Sequence, residues 1–201
     1  MSGNDAEATS APQDRSRLDN IFLVGLMGAG KTSVGRLLAR RFSKDFCDCD
    51  QEIERATGAT IPLIFEIEGE SGFRARETKV LARLAHRRNI VLATGGGAVL
   101  SEDNRRLLSD SGVIVYLRAS ASELLNRTRH DKNRPLLQTS NPLAKLEQLF
   151  AERDPLYRSI ADIIVDSGNQ SVGNLARRVE HQLRALHAAA CAGEGTSLRT
   201  G

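Results

Sequence analysis

Gly25-Leu26-Met27-Gly28-Ala29-Gly30-Lys31-Thr32 satisfies every fixed position of G-x-x-x-x-G-K-[ST] and follows the apolar run Ile21-Phe22-Leu23-Val24. A strand, a glycine-rich turn and the helix-like segment from Ser33 to Arg40 together make an anion cradle. Glycines let backbone N–H groups converge, and a helix N-terminus adds partial positive charge at the same point. Gly28, Ala29, Gly30, Lys31, Thr32 and Ser33 are the expected nucleotide-binding residues. Lys31 can reach the β- and γ-phosphates, and the Thr32 hydroxyl can hold Mg²⁺. The chemistry this spacing allows is the binding of a nucleoside triphosphate.

Phe46-Cys47-Asp48-Cys49-Asp50 offers two carboxylates that period-two geometry sets on one face of a strand. Beside a phosphate loop, one can hold Mg²⁺ through water while the other orients an attacking hydroxyl or accepts its proton. The competing reading makes Asp50 the N-cap of the helix that begins at Gln51. Thr94-Gly95-Gly96-Gly97-Ala98 is either a flexible turn or a backbone bare enough for close approach by a polar ligand.

Gly72-Phe73-Arg74-Ala75-Arg76-Glu77 is read as opening an arginine-rich helix. Arg74 and Glu77, at i,i+3, can pair so that the guanidinium is aimed at a carboxylate or phosphate. A solvated surface pair is the plainer alternative. Asn126 to Leu137 is polar and basic and runs into Gln138-Thr139-Ser140-Asn141-Pro142. A lid there, delivering Arg134 or Arg127 to the phosphates, would also exclude water; a mobile basic loop is the alternative.

These residues need a scaffold, and the apolar runs supply one. Strands are expected at Ile21–Val24, Asp45–Asp50, Ile90–Ala93, Val113–Leu117 and Asp162–Val165. Between them lie amphipathic stretches, such as Leu175, Val179, Leu183 and Leu186, or Leu143, Leu146 and Leu149-Phe150. Strand–helix alternation implies an α/β fold, a three-layer α/β/α sandwich around a five-stranded parallel sheet. Ligands bind such sheets at the carboxyl ends of the strands, where each candidate site falls.

Bulk properties narrow the classes. A chain of 201 residues suits one domain. Residues 1–19 read as a disordered extension without the apolar core of a signal peptide, and 188–201 as a flexible tail. No apolar run reaches membrane-spanning length. Cys47, Cys49 and Cys191 make no metal-ligand spacing and are expected as reduced thiols. A net charge of +3 comes from scattered arginines, with no basic run interleaved with aromatics, so nucleic acid is not the expected partner. No sustained apolar seam suggests an oligomer, and a soluble cytoplasmic monomer is the expectation.

Taken in order, Gly-Leu-Met-Gly-Ala-Gly-Lys-Thr, Asp-Cys-Asp, Gly-Phe-Arg-x-Arg-Glu, Gly-Gly-Gly-Ala, Arg-Pro-Leu-Leu and Glu-Arg-x-Pro-Leu-Tyr resemble the shikimate kinases from about Asn20 to His187. The resemblance implies a P-loop architecture with a mobile lid at about 129–141, and phosphorylation of the 3-hydroxyl of shikimate by ATP with Mg²⁺. It makes Asp50 the carboxylate on the reacting hydroxyl and Arg74 and Arg153 the grip on the shikimate carboxylate. Gly95, Gly96 and Gly97 would line the ring, Arg134 would reach the phosphates from the lid, and Thr32 with Asp48 would hold the metal, Asp48 through water. Arg127 and Gln170 fall where the family contacts the nucleotide base. Thr32 stands where many members have Ser, and some members have an arginine near Gln170. Rival readings are a gluconate or nucleoside-monophosphate kinase, or a nucleotide-binding module without transfer activity.

Overall fold

The computed structural model describes residues 15–129, 135–168 and 170–194. Strands β1 (Ile21–Val24), β2 (Asp45–Asp48), β3 (Ile90–Ala93), β4 (Val113–Arg118) and β5 (Ile163–Asp166) form one parallel sheet in the order β2-β3-β1-β4-β5. Central β1 pairs Phe22 with Leu92 on one side and with Ile114 on the other. Its four side chains are all buried, as a strand covered on both faces requires. Edge strand β5 instead alternates buried and exposed positions.

The helices are α1 (Lys31–Phe42), α2 (Cys49–Thr57), α3 (Ile61–Ala85), α4 (Glu102–Ser111), α5 (Ala121–Thr128), α6 (Pro142–Ile160) and α7 (Val172–Glu194). α1 packs on α7 and β3, α3 on α4, and α6 on α5 and β4, giving the expected three layers. Leu175, Val179 and Leu183 are buried along α7, and Leu146 and Leu149 along α6. Because β3 inserts between β2 and β1, the chain leaves β1 in one direction and later fills the sheet's other side. A crevice opens at such a reversal, beyond the carboxyl end of β1.

Several boundaries differ from the sequence reading, each for a local reason. β2 stops at Asp48, whose backbone is extended (φ −124°, ψ 121°) and whose side-chain Oδ1 caps α2 by accepting from the N–H groups of Asp50 (3.1 Å) and Gln51 (3.4 Å). Asp48, not Asp50, is therefore the cap, and Asp50 lies in the first helical turn instead of on a shared strand face. Gly72 does not open a helix. α3 begins at Ile61 and is broken at Gly69, whose φ of 69° and ψ of −175° suit glycine. Arg76 spans that break with two bonds to Glu68 (2.8 and 2.6 Å).

Asn126 to Thr128 form the last turn of α5 and not a loop. Residues 188–194, read as tail, continue α7; 195–201 lie outside the described residues. At the other end, 1–14 lie outside the described residues, but Arg15–Asp19 form a 3-10 turn. Arg17 grips both oxygens of Asp162 (2.9 and 2.8 Å), and Lys44 Nζ donates to the Asp19 carbonyl (2.6 Å).

Tight packing beneath the central strand generates a stability prediction. Gly112 is extended (φ −172°), so any residue suits its backbone, but a Cβ there would sit 2.6 to 2.9 Å from three Phe22 ring atoms. Phe22 is fully buried and has little room to give. Gly112→Ala should cost about 1–3 kcal/mol in urea unfolding, the usual penalty for overpacking. An unchanged midpoint would contradict this contact.

Candidate active site

The phosphate loop occupies the turn between β1 and α1. Gly30, the residue before α1, has φ 97° and ψ 13° and no side-chain cap, so the first N–H groups of the helix are left for a ligand. Lys31 Nζ lies back on the loop, donating to the carbonyls of Gly25 (2.7 Å) and Leu26 (3.0 Å). Thr32 Oγ1 donates to Asp48 Oδ2 at 2.7 Å, while the other Asp48 oxygen is spent on capping α2. A cleft of about 380 Å³ opens here, lined by Gly28 to Ser33, Asp48, Asp50, Arg127 and Gln170 among others.

Arg127 ties this cleft together. Its guanidinium donates to the carbonyl of Gly28 (3.3 Å) in the phosphate loop, to Ser167 Oγ (3.1 Å) and O (2.9 Å), and to the Gly168 carbonyl. Gln170 is held by its own bond from Nε2 to the Asp166 carbonyl (2.8 Å). Both residues therefore stand at the cleft's edge, beside the loop that follows β5. Arg134 and Asn169 lie outside the described residues, as does the 130–134 part of the expected lid. Within its described part, Pro135–Leu137 forms a 3-10 turn.

A second, smaller cavity of about 60 Å³ adjoins the first. Asp50, Met27 and Gly96 border both. Arg74 and Glu77 of α3, Gly95 to Gly97, Arg153 of α6 and Leu136 of the 3-10 turn complete it, with Phe65 and Phe73 as an apolar wall. The two phenyl rings are tilted by 36° with centres 4.8 Å apart, and the Arg74 guanidinium lies 5.1 Å from the Phe73 ring centre.

The Arg74–Glu77 pair (2.7 Å) is no surface pair, since Glu77 is only 1% exposed. Burial pushes its carboxyl above the usual glutamate range, outweighing the pull of Arg74. Burial disfavours the Arg74 charge too, but Glu77, aided by Glu70 at 2.9 Å, more than restores it. Arg153, 3% exposed, donates from one terminal nitrogen to the Gly96 carbonyl (3.2 Å). Among the described residues, Glu77 Oε1 and Arg153 Nε are buried and find no hydrogen-bond partner. One is an acceptor suited to a hydroxyl, the other a donor suited to an anion.

The bare backbone of the triple glycine is a matter of space. A Cβ on Gly95 would strike Glu77, and one on Gly97 would strike the Arg74 guanidinium. The structure brings both arginines, Asp50 and this loop, all candidates from the sequence, to one cavity. The sequence reading assigns no role to Tyr157, whose hydroxyl donates to the same Gly96 carbonyl as Arg153. The i,i+4 spacing of Arg153 and Tyr157 on one face of α6 was the available signal.

A phosphate cradle and an anion pocket that share one carboxylate, at the carboxyl edge of a parallel sheet, define a P-loop kinase of small molecules. The chain belongs to the shikimate kinase family, whose family description, Shikimate kinase, matches residues 27–184. It is 60% identical over 170 residues to the shikimate kinase of Nitrosospira multiformis, covering 85% of this chain and 87% of that one. The structure resembles that of a shikimate kinase from Acinetobacter baumannii in complex with shikimate (TM-score 0.82, 50% identity, 85% and 95% of the two chains). It also resembles the shikimate kinase of Aquifex aeolicus (TM-score 0.72, 31% identity, 84% and 98%).

The fit around Gly97 predicts a selective lesion. The atoms a new Cβ would displace are the far end of a flexible arginine, so Gly97→Ala should move Arg74 without unfolding the loop. Titration of the variant should show ATP affinity within about twofold of wild type and acceptor affinity at least about tenfold weaker, a loss of the size expected for a buried charge pair. Equal loss at both sites would contradict the division into two pockets.

Proposed function

We propose that this chain transfers the γ-phosphoryl group of ATP to the 3-hydroxyl of shikimate, giving ADP and shikimate 3-phosphate for aromatic amino-acid biosynthesis. The observation that carries the reading is Asp50 on the wall shared by the two cavities, with phosphate-binding groups on one side and Arg74, Arg153 and Glu77 on the other. A small ring bearing one carboxylate and several hydroxyls suits that pocket. Its carboxylate meets Arg74 and Arg153 Nε, its hydroxyls meet acceptors such as Glu77 Oε1, and its ring lies between Gly95–Gly97 and the phenyl wall.

Asp50 orients the 3-hydroxyl and accepts its proton as the oxygen–phosphorus bond forms and the bond to the β-phosphate oxygen breaks. Lys31 leaves the Gly25 and Leu26 carbonyls for the phosphates, and Arg134 of the lid joins it there. Arg127 and Gln170 border the base. Thr32 and Asp48 fit Mg²⁺: a hydroxyl beside a carboxylate is a proper partial set for an ion that takes its other ligands from phosphates and water. No cluster of three His, Cys, Asp or Glu ligands occurs among the described residues, as such a site requires none. Bound there, the ion neutralises charge on the transferring phosphates. Among the described residues no helix is long and apolar enough to cross a membrane; the proposed enzyme acts in the cytoplasm, as a monomer.

Release of ADP measured over shikimate, gluconate and nucleoside monophosphates tests the reading. Turnover should be confined to shikimate, and a preference for either rival acceptor would overturn it. Asp50→Asn should lower kcat by about 10² to 10⁴ while ATP still binds, the range for loss of a general base. Arg74→Ala or Arg153→Ala should act mainly on the shikimate KM. Acidification neutralises Glu77 before it would an exposed glutamate, because burial raises its pKa, and Arg74 then loses its counter-ion. The acid limb of kcat/KM for shikimate should therefore lie above about pH 4.3 and move to lower pH in Glu77→Gln. An unmoved limb would detach Glu77 from acceptor binding.

A further inference from the structure

The Gly96 carbonyl accepts two hydrogen bonds from one helix, from an Arg153 terminal nitrogen and from the Tyr157 hydroxyl one turn later. Both side chains are buried, Tyr157 completely. With both lone pairs occupied, the peptide cannot rotate. On its other side Gly96 faces the phosphate loop, where a Cβ would lie 3.4 Å from the Met27 nitrogen and 3.6 Å from the Gly25 oxygen. This one peptide therefore joins α6, the acceptor loop and the donor loop.

Tyr157 is itself held. Its ring stacks on Tyr116 of β4 with centres 4.8 Å apart and planes at 29°. Tyr116 donates to Asp154 Oδ1 (2.8 Å), which also accepts from Arg118 Nε (3.0 Å), while Asp154 Oδ2 accepts from Arg158 Nε (2.6 Å). That carboxylate binds α6 to the sheet beside the acceptor pocket. Burial pushes the Tyr157 phenol pKa up, so the hydroxyl stays a donor at all working pH values.

From this arrangement we infer that Tyr157 is a positioning residue for phosphoryl transfer: by fixing the Gly96 carbonyl it fixes the Arg153 guanidinium that hangs from it, and so the place of the acceptor's carboxylate. Without the phenol O–H the carbonyl keeps only Arg153, and the two can swing together. Arg153 Nε, buried at the pocket and without a partner among the described residues, then loses its fixed direction. The inference rests on the shikimate kinase reading.

The test is the steady-state kinetics of Tyr157→Phe, which keeps the ring and its stack on Tyr116. The shikimate KM should rise roughly three- to tenfold, the worth of one neutral hydrogen bond, with the ATP KM within about twofold of wild type. In an Arg153→Ala background the same substitution should add nothing to the shikimate KM, because the residue it positions is gone. A merely structural role would move kcat or stability without this split. An unchanged shikimate KM in Tyr157→Phe, or an equal rise in both backgrounds, would overturn the inference alone. Failure of the wild-type chain to turn over shikimate would overturn the functional reading and this inference with it.

Discussion

The close approach of Gly96 to the phosphate loop sets the dimensions of everything around it. Two anionic ligands must lie close enough to exchange a phosphoryl group, and each needs fixed positive charge. The strand order makes this possible by opening the sheet beyond β1. The donor loop follows β1 and the acceptor loop follows β3, its neighbour in the sheet. Gly96 packs beside Gly25 and Met27 of the donor loop, and Asp50 at the start of α2 borders both cavities.

Holding charge at this seam costs desolvation, and the structure shows how the cost is met. Glu77 is buried with its carboxyl raised, yet it stays beside Arg74, whose guanidinium is further held by Glu70. A buried pair of this kind adds little to stability, because desolvation offsets most of the attraction. Its value lies in direction: the acceptor pocket presents two guanidinium groups at settled angles before any ligand arrives. Asp154, taking donors from Tyr116, Arg118 and Arg158, does the same for the helix that carries Arg153. Preorganised charge of this kind needs no rearrangement at the moment of transfer.

Much of this was legible in the sequence, and what was not has physical reasons. β1 and β3 were readable to the residue because strands covered on both faces are apolar at consecutive positions. The end of β2 was not, since the Asp48 carboxylate both meets Thr32 and caps α2, and a cap turns the chain two residues before the pattern of side chains changes. The break at Gly69 hid α3 in the same way, since a left-handed residue halts the helical phase. The Arg74–Glu77 pair could be foreseen from spacing, but its burial could not, because burial comes from the β3 loop passing over it. The link from Tyr157 through Tyr116 to Asp154 joins β4 to α6 across 38 residues of chain, and local patterns carry no trace of it.

Whether the acceptor binds with its 3-hydroxyl at Asp50 is read from the position of the new phosphate. Phosphorus NMR of the product formed from shikimate, ATP and Mg²⁺ reads it from the coupling between phosphorus and a ring proton. One phosphate monoester, coupled to the proton at C3 and formed in step with ADP, is the expected product. A monoester at another hydroxyl, or ADP with inorganic phosphate alone, would contradict it.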